Sequence, residues 1–183
     1  MIKKKLPIGI SDFKKIIEGG YYYIDKTDFI KEILEKKVEA TLITRPRRFG
    51  KTLSMTTLKY FLDIKDAENN KHLFDGLNIS RTEFMNEQGR YPVIYLTLKD
   101  CDKKTYLEFL KEFKYLREHL DDWDKEEFDR ILYKKDDGEY GSALQFLSEK
   151  LYEYYKIKPV ILIDEYDAPI ISANERGRDT EIL

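Results

Sequence analysis

Hydrophobic residues return every three to four positions in several stretches of the chain, and this spacing predicts amphipathic helices. In the stretch 27–37, Phe29, Ile30, Ile33 and Leu34 fall on one helical face, and Thr27 stands as a candidate N-cap. The same spacing predicts four more helices, over residues 51–63, 103–120, 124–134 and 140–156.

Three shorter apolar stretches predict β-strands, at residues 40–44, 92–98 and 160–164. The later two open on a proline, which a strand tolerates at its first position. Because the strands alternate with helices, the pattern predicts an α/β fold with a mostly parallel sheet. An all-helical fold is the alternative, since all three strands are short.

Composition limits the chain to a few classes of protein. Its 183 residues suit a single domain, and the 42% of apolar residues can build a core. Cys101 is the only cysteine and there are two histidines, which excludes an intrachain disulfide and argues against a Cys/His zinc site. No stretch approaches 18 consecutive apolar residues, so we expect no membrane span and a cytoplasmic protein.

Charge is nearly balanced over the whole chain but uneven along it. The net charge of −2 argues against a globally basic nucleic-acid binder. Residues 1–60 carry 14 basic and 7 acidic side chains, which is +7, and the remainder carries 19 and 28, which is −9. This asymmetry indicates either an anion site in the first third or only solvated helix faces.

The segment 41–52 carries the clearest chemistry. A predicted strand runs into a loop that ends in Gly50-Lys51-Thr52 at the start of a predicted helix. Backbone N–H groups at a helix start bind phosphate, and glycine lets the backbone approach the anion. Lys51 would contact the β- and γ-phosphates of a nucleotide, and Thr52 would bind Mg²⁺. The match to the phosphate-loop pattern is incomplete, because Arg45 stands where the first glycine belongs.

A second motif follows the last predicted strand. The apolar run 159–163 ends in Asp164 and Glu165, which is the form of a Walker B segment. Asp164 would hold the Mg²⁺ and Glu165 would orient the attacking water. A core strand that happens to end in surface acids is the alternative. The two motifs together, each after its own apolar strand, favour a nucleotide site.

The strings RPRRFGKT (45–52) and LIDEYDAPI (162–170), with LPIGISDFKKIIEGGYYYIDKTDFI (6–30) upstream, resemble the bacterial AAA-ATPase-like family. Proteins of that family are P-loop proteins that are often joined to a C-terminal PD-(D/E)XK nuclease-like domain. The resemblance implies a three-layer P-loop fold, an N-terminal family segment over residues 1–38, and binding of ATP and Mg²⁺. The implied nucleotide-binding residues are Arg45, Pro46, Arg47, Arg48, Phe49, Gly50, Lys51, Thr52 and Leu53. Catalysis would fall to Lys51 and Glu165, and the metal to Thr52 and Asp164.

Several other residues admit two interpretations. Arg47 and Arg48 either contact phosphates, here or on a neighbouring subunit, or form a solvated basic loop. The segment 23–27 either lies near the adenine or the ATP loop, or is only a strand end and helix cap. Surface or packing roles are expected for the remaining polar residues of note: His72, His119 and Asp167. We expect Cys101 to be non-catalytic and Trp123 to be a partly buried anchor.

The sequence after Asp164 leaves no room for the strands that normally follow a Walker B strand, and only Arg176 or Arg178 remains as a sensor arginine. We therefore expect a truncated P-loop domain whose sheet is completed by another chain or in a homo-oligomer. The leading hypothesis is ATP binding with slow Mg²⁺-dependent hydrolysis, and the alternative is a hydrolysis-deficient regulatory or interaction module. A small-molecule kinase fits less well, because the acid pair favours an attacking water. Nucleic acid would be reached only indirectly, through a nuclease-like domain.

Overall fold

The structure, a computed structural model, describes residues 4–44, 46, 49–98, 114–133 and 143–166. The chain forms two compact units, a first unit over Met1–Val93 and a second unit over Ile94–Leu183. The first part of the helix predicted at 103–120 lies outside the described residues.

The first unit is helical. It contains four helices, α1 (Phe13–Glu18), α2 (Asp28–Lys36), α3 (Lys51–Leu62) and α4 (Ala67–Asn70). Three short 3₁₀ turns follow, at Lys71–Phe74, Asn78–Arg81 and Glu83–Glu87. The helices predicted at 27–37 and 51–63 are confirmed as α2 and α3, whereas the sequence analysis did not predict α1.

Aromatic rings form the centre of the first unit. The Phe74 ring stacks on Phe13 of α1 with centroids 5.2 Å apart, and it meets the edge of Phe61 of α3 at 5.1 Å. All three side chains are fully buried. Such ring pairs stabilise beyond their buried area. The cluster therefore fastens α1 and the first 3₁₀ turn to the helix that begins at Lys51.

The strand predicted at residues 40–44 is wrong. The structure describes all five residues, and they form no strand. Four of the five side chains are exposed, and Leu42 is 69% exposed. A strand needs a neighbour to pair its backbone groups. Within the described residues, the sheet has two strands, which pair with each other.

The second unit combines helices with a small sheet. Its strands are β1 (Val93–Thr97) and β2 (Val160–Asp164), and its helices are α5 (Lys114–Arg117), α6 (Asp122–Tyr133) and α7 (Ala143–Tyr155). The two strands form a parallel sheet in the described residues. The predicted strands at 92–98 and 160–164 are thus confirmed, as are α6 and α7, and the chain has the α/β character that the pattern predicted.

The core of the second unit is mainly aliphatic, with one phenylalanine among its buried members. Its buried members are Ile94, Leu116, Phe128, Leu147 and Leu151. Two ion pairs also join its helices. The guanidinium of Arg117 on α5 donates to both carboxylate oxygens of Asp129 on α6, at 2.8 and 2.6 Å. Lys150 on α7 lies 2.7 Å from Asp124 on α6.

The sequence interpretation of Trp123 as a partly buried anchor is wrong, because this side chain is 72% exposed. Trp123 lies in the first turn of α6, whereas Phe128 supplies the buried contact of that helix. The histidine interpretation is confirmed. His72 is exposed with its Nε2 3.7 Å from Glu18, and the exposed His119 packs edge-on against Tyr154.

Candidate functional site

The start of α3 has the geometry of a helix opened by glycine. Gly50 is the N-cap, with φ +77° and ψ +28°, and its carbonyl accepts the N–H of Ser54 at 2.9 Å. That left-handed conformation suits glycine, because a Cβ there is costly. Lys51 and Thr52 are the first two residues of the helix, where backbone N–H groups have no acceptor within the helix. The positive end of the helix dipole lies at the same place.

The loop before α3 is only partly described. Phe49 donates its N–H to the Pro46 carbonyl at 3.3 Å, which makes a turn, and the Phe49 side chain is 64% exposed. Leu53 is half-buried, and its carbonyl accepts the hydroxyl of Thr57 at 2.7 Å. The predicted nucleotide-binding residues Arg45, Arg47 and Arg48 lie outside the described residues.

The end of β2 carries the second predicted motif. Asp164 is the last residue of the strand and is 3% exposed. Its Oδ2 accepts the Tyr95 hydroxyl from β1 at 3.3 Å, and its Oδ1 accepts the N–H of Glu165 at 3.1 Å. Its carbonyl accepts the N–H of Leu98 at 2.9 Å, which extends the pairing of the two strands. The carboxylate is therefore held in one orientation at the end of the strand.

Glu165 adopts a left-handed conformation, with φ +56°. A residue with a Cβ adopts this region at a cost, and such positions concentrate at functional sites. The hydrogen bond from its N–H to Asp164 stabilises the turn. Asp164 and Glu165 thus leave the strand as a buried and a half-buried carboxylate, next to each other in the chain.

The side-chain oxygens of Thr52, Asp164 and Glu165 are of the kind that a hard divalent cation prefers. Mg²⁺ prefers carboxylate and hydroxyl oxygens with several waters, and from the described residues each oxygen of Asp164 accepts one hydrogen bond. Within the described ranges, no cluster of three or more His, Cys, Asp or Glu side chains could hold a metal.

The predicted residues fall in both units. Gly50 to Leu53 lie together at the start of α3 in the first unit, and Asp164 and Glu165 lie together at the end of β2 in the second. The remaining predicted candidates, Cys101, Asp167, Arg176 and Arg178, lie outside the described residues.

The segment 23–27 serves packing in the first unit. The hydroxyl of the buried Thr27 donates to Asp25 at 2.7 Å and accepts the N–H of Ile79 at 3.1 Å. Asp25 also accepts the N–H of Asn78 at 2.6 Å. Thr27 occupies the N-cap position of α2, as predicted, but its side chain makes no capping hydrogen bond. These bonds fasten α2 to the 3₁₀ turn at Asn78–Arg81.

Tyr23, the first residue of this segment, contacts residues of both α1 and α3. Burial raises the pKa of its hydroxyl, a hydrogen bond with Thr57 opposes that shift, and the charge of Asp25 adds to it. Its ring packs edge-on against Phe13, with centroids 5.3 Å apart. The tyrosine therefore joins the segment 23–27 to both α1 and α3.

Sequence reasoning missed the residues that support the two motifs. Tyr95 contacts Asp164, and Asp12 and Thr56 join the chain before α1 to α3. Only Asp12 left a sequence signal, because an aspartate before the run Phe13, Ile16 and Ile17 is a typical helix start.

Comparison with known proteins gives a consistent result. Residues 7–182 match the family described as Predicted AAA-ATPase. Over 98 residues the chain is 41% identical to a protein of Azotobacter chroococcum mcd 1 named "Uncharacterized protein in vnfD 5'region". That similarity covers 53% of this chain and 17% of the relative, so the chain corresponds to a small part of that protein.

No solved structure matches the chain. In the described residues, no helix is both long enough and apolar enough to cross a membrane. The family match extends over nearly the whole sequence and includes both motifs, Gly50-Lys51-Thr52 and Asp164-Glu165. The chain belongs to the AAA-ATPase-like family.

Proposed function

We propose that this chain is an ATP-binding P-loop domain that hydrolyses ATP slowly with Mg²⁺. The observation that carries the proposal is the start of α3, where a left-handed Gly50 directly precedes Lys51 and Thr52. Unpaired N–H groups, a helix dipole and an ammonium group then meet at one helix end, and together they favour a polyphosphate. Membership of the AAA-ATPase-like family supports ATP as the nucleotide.

Each residue has a separate part in this proposal. Lys51 binds the β- and γ-phosphates, and the N–H groups from Gly50 to Leu53 surround them. Arg45, Pro46, Arg47, Arg48 and Phe49 complete the loop, with the arginines against phosphates of this subunit or of a neighbour. Thr52 and Asp164 would hold Mg²⁺, which would neutralise charge on the phosphates. Glu165 orients the attacking water toward the γ-phosphorus and accepts a proton from it.

The acid pair also supports the orientation of that water. The Asp164 carboxylate is fixed by Tyr95 and by the N–H of Glu165. The left-handed backbone of Glu165 turns the chain after the strand, directly beside the buried Asp164 carboxylate. One carboxylate can therefore serve a metal while the other serves a water.

The proposal includes a partner. The described part of the sheet has two strands, and the edge of a sheet can accept a further strand. A second copy of this chain, or another protein, would complete the sheet. A cytoplasmic location accompanies the proposal.

A first experiment measures equilibrium binding of a fluorescent ATP analogue with Mg²⁺ to the 183-residue chain. The variants are Lys51→Ala and the control Lys36→Ala, which removes an exposed lysine from the last turn of α2. Charge-assisted hydrogen bonds contribute roughly 1.5–3 kcal/mol, so Lys51→Ala should weaken binding by about 10- to 100-fold. Lys36→Ala should bind as the wild type does. Folded wild-type chain that binds no nucleotide would refute the proposal.

A second experiment separates hydrolysis from binding alone. Phosphate release is measured for the wild type and for Glu165→Gln under saturating ATP and Mg²⁺. General-base catalysis contributes roughly 10²- to 10⁴-fold, so the variant should bind ATP normally and release phosphate at a strongly reduced rate. Binding without release by the wild type would favour the alternative function, a hydrolysis-deficient regulatory module.

A further inference from the structure

The chain just before and within α1 is hydrogen-bonded to the side of α3. The hydroxyl of Thr56 accepts the N–H of Phe13 at 3.1 Å, and the Ser11 carbonyl lies 3.3 Å from the same oxygen. One helical turn further along, the Tyr60 hydroxyl donates to Asp12 Oδ2 at 2.9 Å. We call residues 11–13 the α3 clamp. Its contacts lie on one face of α3, because positions 56 and 60 are separated by four residues.

These contacts are buried and specific. Thr56 and Phe13 are among the buried residues of the first unit. Asp12 uses both carboxylate oxygens, since its Oδ1 accepts the N–H of Lys15 at 2.9 Å while Oδ2 binds Tyr60. The aspartate therefore starts α1 and holds α3 at the same time. A threonine without its hydroxyl would leave the buried N–H of Phe13 without an acceptor, which is costly.

The clamp acts close to the start of α3. Thr56 follows Thr52 by four residues, which is about 6 Å along a helix. The hydroxyls of Thr56 and Thr57 both lie within hydrogen-bonding distance of the Leu53 carbonyl, at 3.1 and 2.7 Å. Leu53 belongs to the first turn of α3. A change in the position of Thr56 should therefore also shift the turn that contains Lys51 and Thr52.

In the described part of the loop before α3, the side chains of Pro46 and Phe49 are exposed, and residues 40–44 form no strand. Contacts made further along α3 also bear on the orientation of its first turn, and the α3 clamp supplies two of them.

We propose that Asp12, Phe13 and Thr56 are positioning residues for the nucleotide: the α3 clamp sets the orientation of the first turn of α3, and phosphate affinity depends on it. This inference rests on the proposed function, since it assigns the phosphates to that turn. It gives the N-terminal segment a part in nucleotide binding without any contact to the nucleotide.

The main test uses Thr56→Val, which keeps the shape of the side chain and removes the hydroxyl. Thr56→Ser restores the hydroxyl as a rescue. Thr82→Val is the matched control, because the Thr82 hydroxyl also bonds a carbonyl three residues earlier, that of Ile79 at 2.8 Å, and has no contact with the clamp. Affinity for the ATP analogue is measured well below the unfolding temperature of every variant.

Thr56→Val should weaken nucleotide binding by roughly three- to tenfold, the effect of one lost hydrogen bond transmitted to the site. Thr56→Ser should recover affinity to within about twofold, and Thr82→Val should leave it unchanged. Equal affinity in all variants, with only a lowered unfolding temperature for Thr56→Val, would overturn the inference and leave the clamp a purely structural contact.

A second measurement does not depend on nucleotide. Amide hydrogen exchange of the free chain, in peptides covering residues 49–58, should become faster in Thr56→Val than in Thr82→Val, while peptides from the second unit should not change. Absence of nucleotide binding by the wild type would refute the proposed function. The hydrogen-exchange measurement would still test the α3 clamp, because unchanged exchange in residues 49–58 would overturn the inference.

Discussion

Two junctions of this chain carry the proposed chemistry, and both turn through the left-handed region of the backbone. At the start of α3 the turning residue is Gly50, with φ +77°, and after β2 it is Glu165, with φ +56°. Glycine adopts this conformation freely, whereas a residue with a Cβ adopts it at a cost of about 1–2 kcal/mol. The first junction is thus relaxed and the second is strained.

The difference separates two ways in which a residue can serve a site. In the proposed site Gly50 serves through its backbone, and among the described residues beyond its chain neighbours no atom lies within 4 Å of the place where a Cβ would be. In the proposed site Glu165 serves through its side chain, at a position where glycine would be relaxed. Strain at an acid beside a second, buried acid is typical of a reacting site.

The supports behind the junctions differ as well. The first is held by the aromatic cluster and hydroxyl bonds around α3, and the second belongs to a unit joined by ion pairs between helices. Ring contacts depend little on salt and pH, whereas ion pairs depend on both.

The largest effect is expected from the ion pair of the second unit. Lys150→Met leaves the Asp124 carboxylate without its partner, and the two side chains are only 12% and 11% exposed. The cost should be about 2 kcal/mol, between the values of exposed and fully buried pairs. Denaturant unfolding measures it. Lys125→Met is the control, because Lys125 pairs with a fully exposed Asp122 at 3.5 Å and should cost less than about 0.5 kcal/mol.

The same pair has a defined pH dependence. Burial alone would lower the pKa of Lys150, but hydrogen bonds to Asp124 and Glu153 and their charges raise it above 10.5. On the alkaline side, the contribution of Lys150 is fully present below the ordinary lysine pKa and is lost as the pH rises through the raised pKa of the folded state. A difference between wild type and Lys150→Met that stayed constant above that pH would contradict this account.

Gly50→Ala should have the next largest effect. A Cβ in the left-handed region costs about 1–2 kcal/mol, so thermal unfolding should begin at a lower temperature. Gly50→Asn should lose less, because asparagine tolerates this conformation better than alanine. Equal stability of all three proteins would mean that the junction relaxes to another conformation, and the contrast with Glu165 would then disappear.

Glu165→Gly should have the smallest effect and the opposite sign. Relief of the left-handed conformation should raise the free energy of unfolding by about 0.5–1 kcal/mol, while phosphate release is lost. Glu165→Ala keeps a Cβ and should lose phosphate release without that gain. If alanine and glycine stabilised equally, the gain would come from removing the charge rather than from the backbone.

The sequence predicted the elements whose pattern is local. The faces of α2, α3 and α7 repeat at helical spacing, and β1 and β2 are apolar runs that directly follow a proline, so their positions follow from neighbouring residues. The strand at 40–44 was wrong for the opposite reason. The run Ala-Thr-Leu-Ile-Thr has strand-forming residues, but a strand also needs a partner, and partners are set by tertiary structure.

The residues of the candidate site also divide into those that a local motif predicts and those that depend on distant contacts. Gly50, Lys51, Asp164 and Glu165 were predicted from motifs, since each motif is contiguous. Asp12, Thr56 and Tyr95 were not, because their roles depend on contacts across 48, 43 and 69 residues of sequence. A single sequence does not encode such a pairing in any pattern that can be recognised.

The bonds of the first unit also bear on the order in which the chain matures on the ribosome. Asp25 and Thr27 bind Asn78 and Ile79, and these two contacts cannot form until 53 and 52 more residues have been made. At roughly 5–20 residues per second, that interval lasts about 3–10 s. Throughout it, Phe13 and Tyr23 have no Phe74 to close the aromatic cluster, and these rings remain open to chaperones and to other nascent chains. The proposed phosphate loop is thus synthesised before the aromatic cluster around α3 can close.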